Sequence, residues 1–237
     1  MPQPPADAGP VSPKPLAEAD PDALYRGRTD LAKARHAAAI WDARLIANRK
    51  DFESAWKLAR TMYWLGNREA DEKKRRAALE IGVTTAKIAA ALQPARPEGH
   101  FWTAANMGTL AESFGLRQGL KYRGAIKESL ERVLAIDPAF QDGSADRALG
   151  RWYFKVPGLF GGDNRKSEAH LRKSLTYFAD STVSRFFLAE TLLDLDRDAE
   201  AIAELEKVLT SKPHPDWVPE DEDYKRKAAE LLKEVRK

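Results

Sequence analysis

A chain of 237 residues with a net charge of +3 and 32% charged residues carries its two signs in near balance, which excludes the one-sided basic stripe of a nucleic-acid binder. With no cysteine there is no disulfide framework, no thiolate nucleophile and no cysteine metal site. Alanine, leucine, lysine, arginine and glutamate dominate while valine, isoleucine and threonine are sparse, so the expected fold class is all-α.

Residues 1–27 read as a proline-rich tether, because Pro2, Pro4, Pro5, Pro10, Pro13, Pro15 and Pro21 favour extended chain with no core to join. Such a segment is either an ordinary tail or a spacer between a domain and an export signal or lipid anchor. No stretch reaches the roughly 20 apolar residues needed to cross a bilayer. A single helical domain is expected over residues 28–237. Thr29 is placed to cap a helix running to about Asn48, with Leu31, Ala34, Ala38, Trp41 and Leu45 on one face. Asp51 opens the first full helical pair. Trp56, Ala59 and Tyr63 anchor its first helix, and its second runs from about Glu72 to Leu92 and stops at Pro94. The next pair spans about Glu98 to Phe114, anchored by Trp102 and Ala105, and about Arg123 to Ile136. Between them Glu112 to Gly124, with Gly115, Gly119 and Gly124, reads as an insertion. A third pair starts near Ser144 with Leu149, Gly150 and Tyr153. It is interrupted over residues 154–164 and resumes with Ser167, Leu171 and Ser174.

Residues 182–215 are the clearest unit. Leu188, Ala189, Leu192, Ala201, Leu205, Val208 and Pro213 reproduce the anchor spacing of a 34-residue tetratricopeptide repeat, in which small residues sit where two antiparallel helices cross. An amphipathic helix from about Asp221 to Val235 then closes the stack, with the acidic run Glu220 to Asp223 at its N-terminus. The architecture expected is a tetratricopeptide-like α–α superhelix of about four hairpins plus capping helices.

The interruption FKVPGLFGGDN (154–164) fixes an irregular turn that still carries Val156, Leu159 and Phe160. Those side chains need a surface to cover, so the loop is either a plug in the solenoid core or a lid on a binding cavity. It lacks the GxGxxG spacing and the Gly-Lys-Ser/Thr ending of phosphate loops. His36, His100, His170 and His214 are scattered, no HExxH pair occurs, no GxSxG elbow accompanies the serines and no carboxylate pair stands out. The chain reads as non-enzymatic, with no cofactor and no metal. In each hairpin the first helix lines the concave side of the solenoid. That places Lys57, Thr61 and Trp64 there, then His100, Thr103, Met107 and Leu110, then Arg147, Arg151, Phe154 and Lys155, then Phe186, Glu190 and Leu193. Lys57, Arg147, Arg151 and Lys155 are either holders of a carboxylate or solvated charges in salt bridges. Trp64, Trp102, Trp152 and Phe160 are either core or the wall of an apolar cavity.

The strings WKLARTMYWLG (56–66), GHFWTAANMG (99–108), LKYRGAIKESLERVLAIDP (120–138) and GRWYFKVPGLFGGDNRKSEAHLRKSL (150–175) resemble the T-component proteins of TRAP-type transporters. That resemblance implies a periplasmic, often lipid-anchored, oligomerising accessory protein. It would act beside a solute-binding protein and handle small organic acids or apolar ligands. The lipobox cysteine and signal segment of that pattern are not in this sequence, so contact with a membrane would run only through an N-terminal anchor. Through the Gly-Arg-Trp-Tyr run alone, the chain also resembles eukaryotic regulators of microtubule dynamics. Two functions follow: a transport accessory that docks a solute-binding protein, or a general adaptor that captures acidic peptides or C-termini in a basic concave groove.

Overall fold

The computed structural model describes residues 19–237, which form eleven α-helices in antiparallel succession, as the all-α reading expects. Residues 1–18 of the tether lie outside the described residues. Its last part does not behave as tether. Pro21–Arg26 is a helix, α1, started by proline and capped by the Asp20 side chain, and it buries Tyr25 against Trp41 with ring centroids 6.1 Å apart. A tyrosine with an aromatic partner gains enough by burial to pull this segment into the domain, which therefore begins before residue 28.

The helices that follow start where a short polar side chain can take up a free backbone N–H. α2 (Leu31–Ala47) is capped by Asp30 rather than Thr29, α3 (Phe52–Arg68) by Asp51 and α4 (Glu72–Leu92) by Asp71. α5 (Pro97–Ser113) begins on a proline. α6 (Leu116–Ile136) corrects the expectation of an insertion over residues 112–124. The chain turns once at Gly115, with φ at 82°, and Gly119 and Gly124 sit inside the helix. Only Gly115 uses a conformation that favours glycine. α7 (Phe140–Lys155) carries a left-handed kink at Gln141, Asp142 and Gly143, so regular helix resumes at Ser144, the expected start of the third unit. After one short 3₁₀ turn at Gly158–Phe160 come α8 (Asn164–Tyr177), α9 (Thr182–Leu193), α10 (Asp198–Thr210) and α11 (Val218–Val235).

Neighbouring helices pack in sequence order, so the core is a row of clusters and not one centre. Trp41, Leu58 and Trp64 fill the first, Leu79, Met107, Leu110, Leu130 and Leu149 the second, and Leu171, Leu188, Leu205 and Leu232 the third. Close crossings need absent side chains. A Cβ on Gly150 would come within 2.5 Å of Leu171, and one on Gly99 within 2.3 Å of the Ala90 backbone.

The last helix does more than cap the stack. Its C-terminal half is anchored to α9 and α10 by Ala228 and Leu232. Its N-terminal half reaches the opposite end of the molecule. Arg28, only 4% exposed, donates to Glu220 Oε2 at 2.6 Å and to the Asp216 carbonyl at 2.8 Å, and Arg68 donates to Asp223 at 2.6 Å. The superhelix is thereby closed across its inner side.

Candidate binding cavity

Closure by α11 converts the inner side of the superhelix into a cavity of about 760 Å³, in the size range of pockets that hold drug-sized ligands. Tyr63 of α3, Trp102 and Gly108 of α5, Arg147 and Trp152 of α7 and Phe187 of α9 face it from one side, and Trp217, Glu220 and Tyr224 from the other. Arg123 and Ile126 of α6 complete a flank. The aromatic walls are mutually buttressed: Tyr63 and Trp102 lie 5.6 Å apart, Phe101 and Trp102 5.0 Å, Phe187 and Tyr224 5.5 Å. Burial pushes the Tyr63 and Tyr224 phenols above their usual range, so both stay protonated and keep an O–H to donate.

The side chains expected on the concave face divide into three groups. Trp102, Arg147, Arg151, Trp152 and Lys155 meet at the cavity. Phe154, Phe186, Glu190 and Leu193 border a separate shallow hollow with Lys227, Glu230 and Leu231 of α11. Lys57, Thr61, Trp64, His100, Thr103, Met107, Leu110 and Phe160 reach neither. Lys57 pairs with Asp22 of α1 at 2.7 Å. Thr61 is fully buried and donates to the Lys57 carbonyl, and Trp64 is core, with its indole N–H given to the Arg28 carbonyl at 2.8 Å. Met107 is likewise core, and His100 bonds the Pro94 carbonyl at 3.1 Å. At Trp64 and Met107 the helix is rotated so that the residue next to the expected one faces inward: Tyr63 in place of Trp64, Gly108 in place of Met107. The 154–164 loop is neither plug nor full lid. Val156 and Pro157 border the cavity, Leu159 is 89% exposed and Phe160 packs under Arg123.

Electrostatics single out which charges are spent. Arg151 donates to Glu190 at 2.6 Å and to Glu112 at 3.0 Å; burial opposes its charge, but the two carboxylates more than offset that and hold it firmly protonated. Glu220 is held by Arg28. Asp221 accepts from the Thr182 hydroxyl and, at 2.7 Å, from the His214 backbone N–H, and Asp142 stands 3.5 Å from His214 Nε2. Every carboxylate bordering the cavity thus has a partner in the fold. Among the described residues, Arg123, Lys155 and Lys227 have aromatic rings for company, at 5.5, 5.2 and 4.5 Å, and no carboxylate within ion-pair distance. Arg147 has neither, and burial lowers its pKa. The indole N–H of Trp102, which is 4% exposed, also has no acceptor.

No grouping of three His, Asp or Glu side chains able to hold a metal occurs among the described residues, and none of their helices is long and apolar enough to cross a membrane. His170 bonds the buried Asp146 at 2.7 Å and stacks on Tyr153, which fixes α8 against α7.

Residues 19–160, well over half of the chain, match the family model described as Regulator of microtubule dynamics protein 1-3. The chain belongs to that family. The RMD1-3 match covers α1 to α7 and the 3₁₀ turn, and so most of one wall of the cavity, but not α11. No curated protein matches the sequence. Among solved structures, the chain is similar to a thermophilic TPR protein of Thermus thermophilus, TTC0263, with a TM-score of 0.67 and 24% identity over 91% of this chain and 99% of that one. It is also similar to MamA, with a TM-score of 0.53 and 15% identity over 85% of this chain and 95% of that one. At those identities the likeness establishes the tetratricopeptide-type fold of this RMD1-3 member and nothing more specific. The match agrees with the resemblance to regulators of microtubule dynamics seen in the Gly150 to Tyr153 run, and none of these comparisons supports a TRAP T-component.

Proposed function

We propose that the protein is a non-catalytic adaptor that receives part of a protein partner in the cavity between its inner helices and α11. The observation that carries this reading is the inner face itself: tetratricopeptide-type solenoids work through their concave surfaces, and here that surface is aromatic and walled on both sides. Gly108 supplies the test. It borders the cavity, and a Cβ placed there meets nothing within 4 Å, so Gly108→Phe fills the space without displacing the core. Wild-type protein should hold its partner in affinity capture from native extract, Gly108→Phe should lose it, and Leu159→Ala, on the exposed loop, should keep it. Undiminished capture by Gly108→Phe would remove the cavity from the interaction.

A second reading is favoured by the enclosure. A space of about 760 Å³ suits a small organic or apolar ligand as well as a chain segment. In that case the protein is an extracytoplasmic accessory of a TRAP-type transport system, oligomeric and paired with a solute-binding protein. Native mass spectrometry of the protein from its own source decides between them. A small molecule of constant mass, lost in Gly108→Phe, favours the transport accessory, and a bound polypeptide favours the adaptor.

A further inference from the structure

We infer that the cavity recognises a carboxylate carried on an apolar body, with Arg147 as the residue that receives it. The inference rests on the cavity being the binding site and adds the chemistry of what enters. Three observations converge on it. First, the charges bordering the cavity are not all paired with one another: Glu112 and Glu220 pair with Arg151 and Arg28, Asp221 accepts from Thr182 and the His214 backbone, and Asp142 stands 3.5 Å from His214. Arg123, Arg147, Lys155 and Lys227 are left without a carboxylate. A half-buried guanidinium with no counter-charge is costly, and a ligand anion supplies what the fold withholds.

Second, Arg147 is the member of that set placed for selectivity. It sits on α7 between the kink at Gln141–Gly143 and Arg151, on the same cavity lining as Tyr63 and Tyr224, and Asp142 and Asp221 act on it only from beyond ion-pair distance. Its planar fork offers two parallel N–H donors to a carboxylate, where a lysine would offer a point charge. The protonated Tyr63 and Tyr224 hydroxyls border the same space as further donors. Third, the walls include Phe101, Trp102, Ile126, Leu130, Trp152 and Phe187. They suit an aromatic or branched body and offer little to a polyanion. A free small acid and the C-terminal residue of a chain share this chemistry.

Isothermal titration with matched probes tests it. N-acetyl-L-phenylalanine carries a free carboxylate next to a ring, its amide lacks the charge, and 4-phenylbutyrate has the charge without a peptide bond. The acid should bind about tenfold or more tightly than its amide. Arg147→Gln should abolish that difference, and Arg147→Lys should restore part of it. Because Arg147 has no ion pair to lose and its burial opposes its charge, Arg147→Gln should leave the melting temperature unchanged or raise it, which separates lost binding from lost folding. Preference for N-acetyl-L-phenylalanine over 4-phenylbutyrate assigns the site to a chain terminus, and the reverse to a free acid. Equal binding of acid and amide, absence of binding by either acid, or an acid preference that survives Arg147→Gln overturns the inference. If it falls while Gly108→Phe still abolishes partner capture, the cavity remains the binding site and only its chemistry is wrong.

Discussion

Removing Glu220 should loosen one end of α11 and leave the other in place. In the folded protein the Arg28 side chain is 5% exposed and Glu220 23% exposed, with Nη2 to Oε2 at 2.6 Å and Nε to Oε1 at 3.3 Å. Breaking a fully buried ion pair from one side costs roughly 3–5 kcal/mol. Glu220→Ala should cost less, about 2–3 kcal/mol, because Arg28 keeps the Asp216 carbonyl at 2.8 Å and the faces of Tyr25 and Trp64 at 5.1 and 4.9 Å, and because water already reaches Glu220. Urea titration measures the loss, and amide exchange locates it. Exchange should quicken over residues 216–224, while the segment around Ala228 and Leu232, packed on α9 and α10, stays protected. Arg236→Ala is the comparison, since its pair with Glu206 joins two half-exposed side chains and should be worth no more than about 1 kcal/mol. A Glu220→Ala protein within about 0.5 kcal/mol of wild type, with unchanged exchange at residues 216–224, would refute the claim that this ion pair closes the superhelix.

Three further outcomes are expected. Gly150→Ala forces a Cβ to within 2.5 Å of Leu171 and should cost about 1–3 kcal/mol, whereas Gly108→Ala, with open space around it, should gain about 0.5–1 kcal/mol; thermal unfolding of the two variants distinguishes them. Trp64→Phe should be more damaging than Trp102→Phe by about 1–2 kcal/mol, because only Trp64 gives its N–H to a carbonyl, leaving that of Arg28 short of a donor when it goes; urea titration of both reads the difference. Asp51→Ala should cost about 1 kcal/mol at neutral pH. Partial burial opposes the charge of Asp51, but the hydrogen bonds from Ser54 outweigh it and hold the folded pKa below the usual 3.8. A depressed folded pKa means the contribution is present above the unfolded value and fades as pH falls through the folded one, so the stability gap between wild type and Asp51→Ala should narrow as the pH is lowered through that range.

What was legible in the sequence was the periodic part. The anchors Leu188, Ala189, Leu192, Ala201, Leu205 and Val208 are all fully buried, and α4 runs over the stretch that its apolar pattern and Pro94 marked out. Helix and core depend on spacing along the chain, which a sequence displays directly. The cavity depends on rotation about each helix axis, where an error of one residue is about 100°. That is why Trp64 and Met107 proved to be core and Tyr63 and Gly108 proved to face inward. Glycines at 119 and 124 were misread as breaks because glycine marks both turns and open helix faces, and nothing in the local sequence separates the two. The ring closure was out of reach altogether. Arg28 and Glu220 lie 192 residues apart, and the acidic run 220–223 reads locally as a helix start, which it also is.

The closed inner face is the claim on which the cavity and its ligand depend, and a cross-link tests it most directly. The chain has no cysteine, so Arg68→Cys/Asp223→Cys places two unique thiols where side chains now meet at 2.6 Å, with the Arg28–Glu220 pair left intact. A short bifunctional maleimide should join them within one chain, at a yield independent of protein concentration. The product should migrate as a compact monomer. Failure to join them in folded monomer, while an Asn67→Cys/Arg68→Cys control reacts, would contradict the closure of the superhelix by its last helix.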